Sequence, residues 1–192
     1  MKVLGISGSH RKGNTDFLVK YALGKCEKSG LQTSFISLAE KDIGFCRDCD
    51  FCRKHDVCVI DDDLNPILEE MKKSDAIIVG SPVYFGGMTG KLKAVLDRTL
   101  PLRRQGLMLS KKIGGAISIG GSRNGGQELT IQNIHAWMLI NEMIVVGDKG
   151  TAHFGGAVVG RNPGDAEKDE IGLKTVEGLA EKIVETLERL DK

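Results

Sequence analysis

Short apolar runs alternate with amphipathic stretches along the whole chain, and this alternation constrains the fold more than any other feature. Val3–Ser7 reads as a buried strand, and Asn14–Ser29 as a helix with Leu18, Ala22 and Cys26 four apart on one side. Leu31–Leu38 alternates polar and apolar as a second strand, and Leu64–Lys73 follows as a helix. Ala76–Gly80 is an apolar strand, Lys91–Leu100 a helix, Ile113–Ile119 a strand and Glu128–Asn141 a helix. Met143–Val146 reads as a fifth strand and Asp165–Leu190 as a long amphipathic helix. Strands that alternate with helices imply right-handed crossovers and a parallel, doubly wound sheet covered on both faces. No composition break, repeat or low-complexity tract interrupts the pattern. The expectation is one α/β domain over residues 1–192, with 42–63 as a loop inserted after the second strand.

Composition narrows the function classes. A length of 192 residues suits a single domain with a real core. Lys+Arg number 27 and Asp+Glu 26, a net charge of +1, so no strong field favours nucleic acid or an anionic membrane. No apolar run reaches the ~18 residues that a membrane helix needs. Met1-Lys2 leads straight into the first strand without signal-peptide architecture, so a cytoplasmic protein is expected.

Glycine makes up 25 of the 192 residues, nearly twice the usual ~7%. Most of them fall in or beside segments that follow the carboxyl ends of the strands, where open α/β sheets bind ligands. The first such segment is Ser7-Gly8-Ser9-His10-Arg11-Lys12-Gly13-Asn14-Thr15, which opens directly into a helix. A helix N-terminus offers free N–H groups and a positive potential. Around it stand the hydroxyls of Ser7, Ser9 and Thr15, the Asn14 amide and the Arg11 guanidinium. The pattern is not the G-x-G-x-x-G of a dinucleotide fold. Hydroxyl donors in place of those glycines suit a compact terminal phosphate, although a polar loop with a helix cap would read the same way.

The third strand runs into Ser81-Pro82-Val83-Tyr84-Phe85-Gly86-Gly87-Met88-Thr89-Gly90. An aromatic pair in a Pro/Gly loop at a strand end is placed to border a flat ring, with backbone amides beside Gly86 and Gly87 in reach of its heteroatoms. Gly120-Gly121-Ser122-Arg123-Asn124-Gly125-Gly126, after the fourth strand, forms a second flexible wall. These segments resemble the flavodoxin-like NAD(P)H-dependent FMN reductase superfamily, through GSHRKGNT and SPVYFGGMTGKLKAVLDR. The resemblance covers most of the chain and implies a five-stranded sheet in the order 2-1-3-4-5. It also implies FMN, with its phosphate on Ser9, Arg11, Gly13, Asn14 and Thr15. Its ring would lie against Pro82, Val83, Tyr84, Phe85, Gly86 and Gly87 and the loop of Gly120, Gly121 and Gly125.

Four of the five cysteines fall in Cys46-x2-Cys49-x2-Cys52-x5-Cys58. Three cysteines at x2 spacing let one loop wrap three corners of a cubane, and a fourth closes it, as in low-potential [4Fe–4S] proteins. Structural zinc usually takes two separated C-x2-C pairs, a pattern these spacings fit less well. Reactive thiols or disulfides are disfavoured in a reducing cytoplasm. Cys26, on a helix face, reads as a small core residue. With the cysteines added, the chain resembles the iron–sulfur flavoproteins of archaea and anaerobic bacteria, a family marked by C-x2-C-x2-C-x4–7-C.

That resemblance implies an electron-transfer flavoprotein with FMN and one [4Fe–4S] cluster, working as a homodimer or dimer of dimers. It would pass electrons between a ferredoxin-like one-electron carrier and an acceptor. No acid–base catalytic residue is assigned, because the cofactors carry the chemistry. Two further functions stay open: an NAD(P)H-dependent FMN or quinone reductase with a structural metal, and a cluster-based redox sensor. Arg103, Arg104, Lys111 and Lys112 are candidates for docking an acidic carrier. The charges Arg47, Asp48, Asp50, Arg53, Lys54, His55 and Asp56 read as a solvated loop face. Leu129–Ile140 is apolar on more than one side, which points to burial between two copies of the chain.

Overall fold

A computed structural model describes residues 1–191. β1 (Lys2–Ser7) lies between β2 (Gln32–Ser37) and β3 (Ala76–Pro82), and β3 pairs with β4 (Ile113–Gly120). All pairings are parallel, and the sheet order is β2-β1-β3-β4-β5. Register follows the pleat: Val3 stands beside Thr33 and Ala76, and Ala76 beside Ile113. Successive residues of each strand therefore feed opposite cores. Val3 and Ile78 pack with Leu18, Val19 and Ala22 of α1 (Asn14–Lys28) and Leu179 and Ile183 of α6 (Glu170–Leu190). Leu4, Ile6, Ile77 and Val79 pack instead with α2 (Leu64–Lys73), α3 (Gly90–Asp97) and α5 (Gln127–Ile140). Gly5 lets α1 approach the sheet, since a Cβ there would lie 2.6 Å from a Val19 methyl.

Three boundaries differ from the sequence reading. The fifth strand position is filled twice: β5 (Ile144–Val145) pairs with the start of β4, and β6 (Gly156–Val159) with its end. Between them the chain makes an excursion closed by Asp148, whose carboxylate accepts from the Thr151 and His153 N–H groups. β6 then carries the chain to the same rim as the other strand ends. The helix expected over Lys91–Leu100 breaks at Arg98–Thr99, and α4 (Leu100–Arg104) resumes with Pro101 in its first turn. The last helix starts at Glu170, not Asp165. A 3₁₀ turn (Asp165–Lys168) precedes it, and the Asp169 carboxylate caps it by accepting from Gly172 N–H. No helix among the described residues is long and apolar enough to cross a membrane.

Candidate functional site

Two pockets form around loops that follow the carboxyl ends of the strands. The first lies at the start of α1. Ser9, Arg11, Lys12, Gly13, Asn14 and Thr15 form one wall; Pro82, Val83, Tyr84 and Ile119 stand opposite; Gly121, Gly160, Arg161 and Pro163 complete it. No side chain caps α1, so the leading N–H groups of that helix keep free donors. Arg11, Lys12 and Arg161 stand on the walls, Lys12 paired with Glu40 at 2.9 Å, and with the helix N–H donors this arrangement can accept an anion.

Its loops are held by neighbouring polar groups. Ser9 Oγ donates to the Arg11 carbonyl at 2.7 Å and so shapes the turn before the helix. Asn14 Nδ2 donates to the Asn162 carbonyl at 2.8 Å, and Asn14 Oδ1 accepts from Gly164 N–H at 2.9 Å. That amide fastens the loop after β6 onto the start of α1. Gln127, only 3% exposed, donates to the Ser122 carbonyl at 2.8 Å and accepts from Gly125 N–H at 2.8 Å, fixing the loop after β4.

The loop after β3 contains a tight two-residue turn. Phe85 (φ +50°) and Gly86 (φ +79°) are left-handed, and Tyr84 and Gly87 exchange backbone hydrogen bonds of 2.9 and 3.1 Å across it. Tyr84 stacks on His10 with ring centroids 5.7 Å apart, and Phe85 projects fully into solvent.

The second pocket lies in the segment between β2 and α2. Cys46, Cys49, Cys52 and Cys58 all line it, with Phe51, Val59, Ile60, Leu100 and Pro101 supplying apolar wall. Two guanidinium groups close it. Arg98 Nη2 donates to Cys58 Sγ at 3.2 Å, and Arg104 Nη1 donates to Cys52 Sγ at 3.1 Å. Arg98 is bidentate to Asp62, at 2.5 and 3.0 Å, and also donates to the Gly44 carbonyl at 3.0 Å. Both side chains of this pair are almost fully buried, at 1% and 4% exposure. Burial pushes the Asp62 carboxyl up, but Arg98 and the Gly44 and Leu64 N–H groups outweigh it and hold the pKa below the usual aspartate value. Asp50 is held low by Arg53 and Arg104. Among the described residues no three His, Cys, Asp or Glu side chains converge as one metal ion requires, so the four thiols ring the pocket without meeting at a point.

Residues 1–156 match the NADPH-dependent FMN reductase family. An iron–sulfur flavoprotein of Methanocaldococcus jannaschii is 51% identical over 194 aligned positions that cover 100% of both chains. A second, from Methanosarcina thermophila, is 47% identical and covers 100% of this chain and 98% of its own. The chain belongs to the iron–sulfur flavoprotein family. The fold is flavodoxin-like: a flavodoxin, WrbA-like protein from Agrobacterium tumefaciens superposes with TM-score 0.69 at 14% identity, over 98% of this chain and 97% of that one.

Of the residues expected at the flavin, this member of the iron–sulfur flavoproteins brings Ser9, Arg11, Gly13, Asn14, Thr15, Pro82, Val83, Tyr84 and Gly121 to one pocket. Ser7 is not there: its buried hydroxyl donates to Asp16 Oδ1 at 2.5 Å, because that carboxylate is itself buried and takes donors from both Ser7 and Ser37. Asn14 lines the pocket, but its amide is already committed to the 162–164 loop. Phe85, Gly86, Gly87, Gly120 and Gly125 shape the adjoining loops and are not on the wall. Cys26 is fully buried, and burial pushes its thiol up to about 11.

The four cations expected as a docking face do not form one free patch. Arg104 turns to Cys52, Arg103 donates to the Ile140 carbonyl, and Lys112 donates to the Lys72 carbonyl at 2.9 Å and to that of Ser74. Sequence reasoning missed Arg161, Arg98 and Asp62. Arg161 carries no local signal, because the strand that brings it to the pocket, β6, is too short to stand out from a loop. Arg98 carries one: an arginine in the apolar period Leu92-Lys93-Ala94-Val95-Leu96-Asp97-Arg98 lies where a charge needs a buried partner.

Proposed function

We propose that the protein transfers electrons through FMN in the first pocket and a [4Fe–4S] cluster in the second. One observation carries the reading: a single chain builds both an uncapped helix N-terminus ringed by cations and a pocket ringed by four cysteines. When bound, FMN exchanges one or two electrons and the cluster one. The first-turn N–H groups of α1, with Arg11, Arg161 and Thr15, hold the phosphate. Pro82, Val83, Tyr84 and Gly121 would border the ring, and Asn14 keeps the loop after β6 fastened to the start of α1. Cys46, Cys49, Cys52 and Cys58 ligate the cluster, and Val59, Ile60 and Leu100 give that side an apolar wall. The donor or acceptor is a ferredoxin-like carrier in the cytoplasm. Exposed Leu129, Leu139 and Ile140 on α5 support self-association as a homodimer or dimer of dimers.

The match to NADPH-dependent FMN reductases favours a second reading, hydride transfer from a nicotinamide to FMN with the cysteines holding a structural metal. Anaerobic purification separates the two. Electron transfer through both sites requires about four iron, four sulfide and one FMN per chain, and reduction by a reduced ferredoxin faster than by NADPH in stopped flow. Zinc without sulfide, with rapid reduction by NADPH, would establish the second reading.

A further inference from the structure

The four cysteines have unequal surroundings. Cys46 and Cys49 are exposed, whereas Cys52 and Cys58 are half-buried. Hydrogen bonds from nitrogen to cysteine sulfur among the described residues are two, and both fall on the half-buried side: Arg104 to Cys52 and Arg98 to Cys58. Arg98 sits at the corner between α3 and α4, and Arg104 is the last residue of α4. On one straight helix, positions 98 and 104 would point about 120° apart. The break at Arg98–Thr99 is what turns both guanidinium groups onto the same pocket.

The two arginines are held differently. Arg98 is 1% exposed and locked by its two-pronged pair with Asp62, so it cannot leave Cys58 without unpairing a buried carboxylate. Gly44 precedes the first cysteine and Asp62 follows the last, so this one guanidinium ties down both ends of the cysteine segment. Arg104 is 24% exposed and shared between Cys52 and Asp50, at 3.1 and 3.0 Å. Asp50 sits between Cys49 and Cys52 in a left-handed conformation (φ +59°), and Gln105 Nε2 holds the Cys52 carbonyl at 3.1 Å.

Resting on the reading that these cysteines ligate an iron–sulfur cluster, we propose that Arg98 and Arg104 are its positioning residues: Arg98 fixes Cys58, and Arg104 sets the reduction potential through Cys52. Reduction of a cluster held there, by a one-electron carrier, would add one electron and no atom and place part of the added negative charge on the thiolate sulfurs. An N–H donor and a positive charge at Cys52 Sγ stabilise the reduced form more than the oxidised one, which raises the potential. Asp50 opposes this by drawing on the same guanidinium.

The test is a spectroelectrochemical titration of the full, loaded chain, with iron, sulfide and FMN measured in each sample. Arg104→Gln is expected to keep its cluster and move the cluster midpoint to more negative potential. Arg104→Lys, which keeps the charge but loses the planar fork, is expected to move it less in the same direction. Asp50→Asn is expected to move it the opposite way. The flavin midpoint in the same samples is expected to stay where it is. Arg98→Lys is expected to lose iron to a chelator faster than Arg104→Gln does. A loaded Arg104→Gln protein with an unmoved cluster midpoint overturns the proposal, as does an equal displacement of the cluster and flavin midpoints. Wild-type protein without iron and sulfide overturns the cluster reading itself, and is distinguished by that analysis before any titration.

Discussion

The two pockets are built in opposite ways. The anion pocket is assembled from short loops between regular elements. A helix start, a two-residue turn at Phe85–Gly86 and glycine contacts set its backbone, and side chains of the same loops and their flanking helices, Ser9, Asn14 and Gln127, fasten it. The cysteine pocket lies in a long segment whose regular structure among the described residues is one 3₁₀ turn (Phe51–Arg53). It is held by side chains reaching in from a distant corner of the fold: Arg98, Arg104 and Gln105. Short loops inherit their geometry from the elements they join, whereas a long loop must be pinned by tertiary contacts. The first site should therefore be sensitive to backbone changes and the second to the loss of single charged side chains.

Arg98→Ala should have the largest effect. It leaves Asp62, 4% exposed, without its partner, which costs about 3–5 kcal/mol by the behaviour of buried ion pairs. Urea unfolding measures the loss. Limited proteolysis is expected to cut first between residues 44 and 62; equal protection in wild type and variant would mean that the segment does not depend on the arginine.

Gly126→Ala tests the backbone-built pocket. Gly126 has φ +103°, and a Cβ there would lie 3.2 Å from both Gly86 Cα and Val83 Cγ1. The expected cost is about 1–3 kcal/mol of strain, with the turn at Phe85–Gly86 displaced and FMN affinity reduced. Flavin fluorescence titration checks the affinity, and protease sensitivity between residues 44 and 62 is expected to stay at the wild-type level.

The smallest effect lies away from both pockets, where α1 meets α6. Glu177 accepts from Lys25, at 2.7 Å, and from the Tyr21 hydroxyl, and these two contacts hold its pKa below the ordinary 4.5. A lowered carboxyl pKa gives stability that is present above pH 4.5 and is lost as pH falls through the folded value. Wild-type stability should therefore decline more than that of Glu177→Gln across that acid range. At neutral pH the difference should be under about 1 kcal/mol, because the pair is partly exposed. Parallel acid titrations followed by circular dichroism would show curves of identical shape if the pair contributed nothing.

Much of the anion pocket was legible because its signals are local. A strand running into Gly8-Ser9-His10-Arg11 and then a helix, or Pro82 followed by Gly86-Gly87, states its geometry within a few residues. Ser7 lies off the pocket wall, and its partner was not legible because a hydroxyl beside a loop looks free until its neighbour is known, and Asp16 takes it. The Gly160–Pro163 wall was hidden because β6 is four residues long and follows an excursion that reads as a loop.

By itself the amino-acid sequence determined the order of strands and helices, the parallel doubly wound sheet, the glycine-bearing strand ends and the grouping of four cysteines. Each of these depends on period, turn chemistry or spacing over short stretches of chain. Tertiary structure alone decided that Arg98 meets Asp62, that Arg104 reaches Cys52, that Asn14 clamps the loop after β6 and that the fifth strand position is filled twice. Those partners lie far apart along the chain, and packing of the two cores against the sheet selects them.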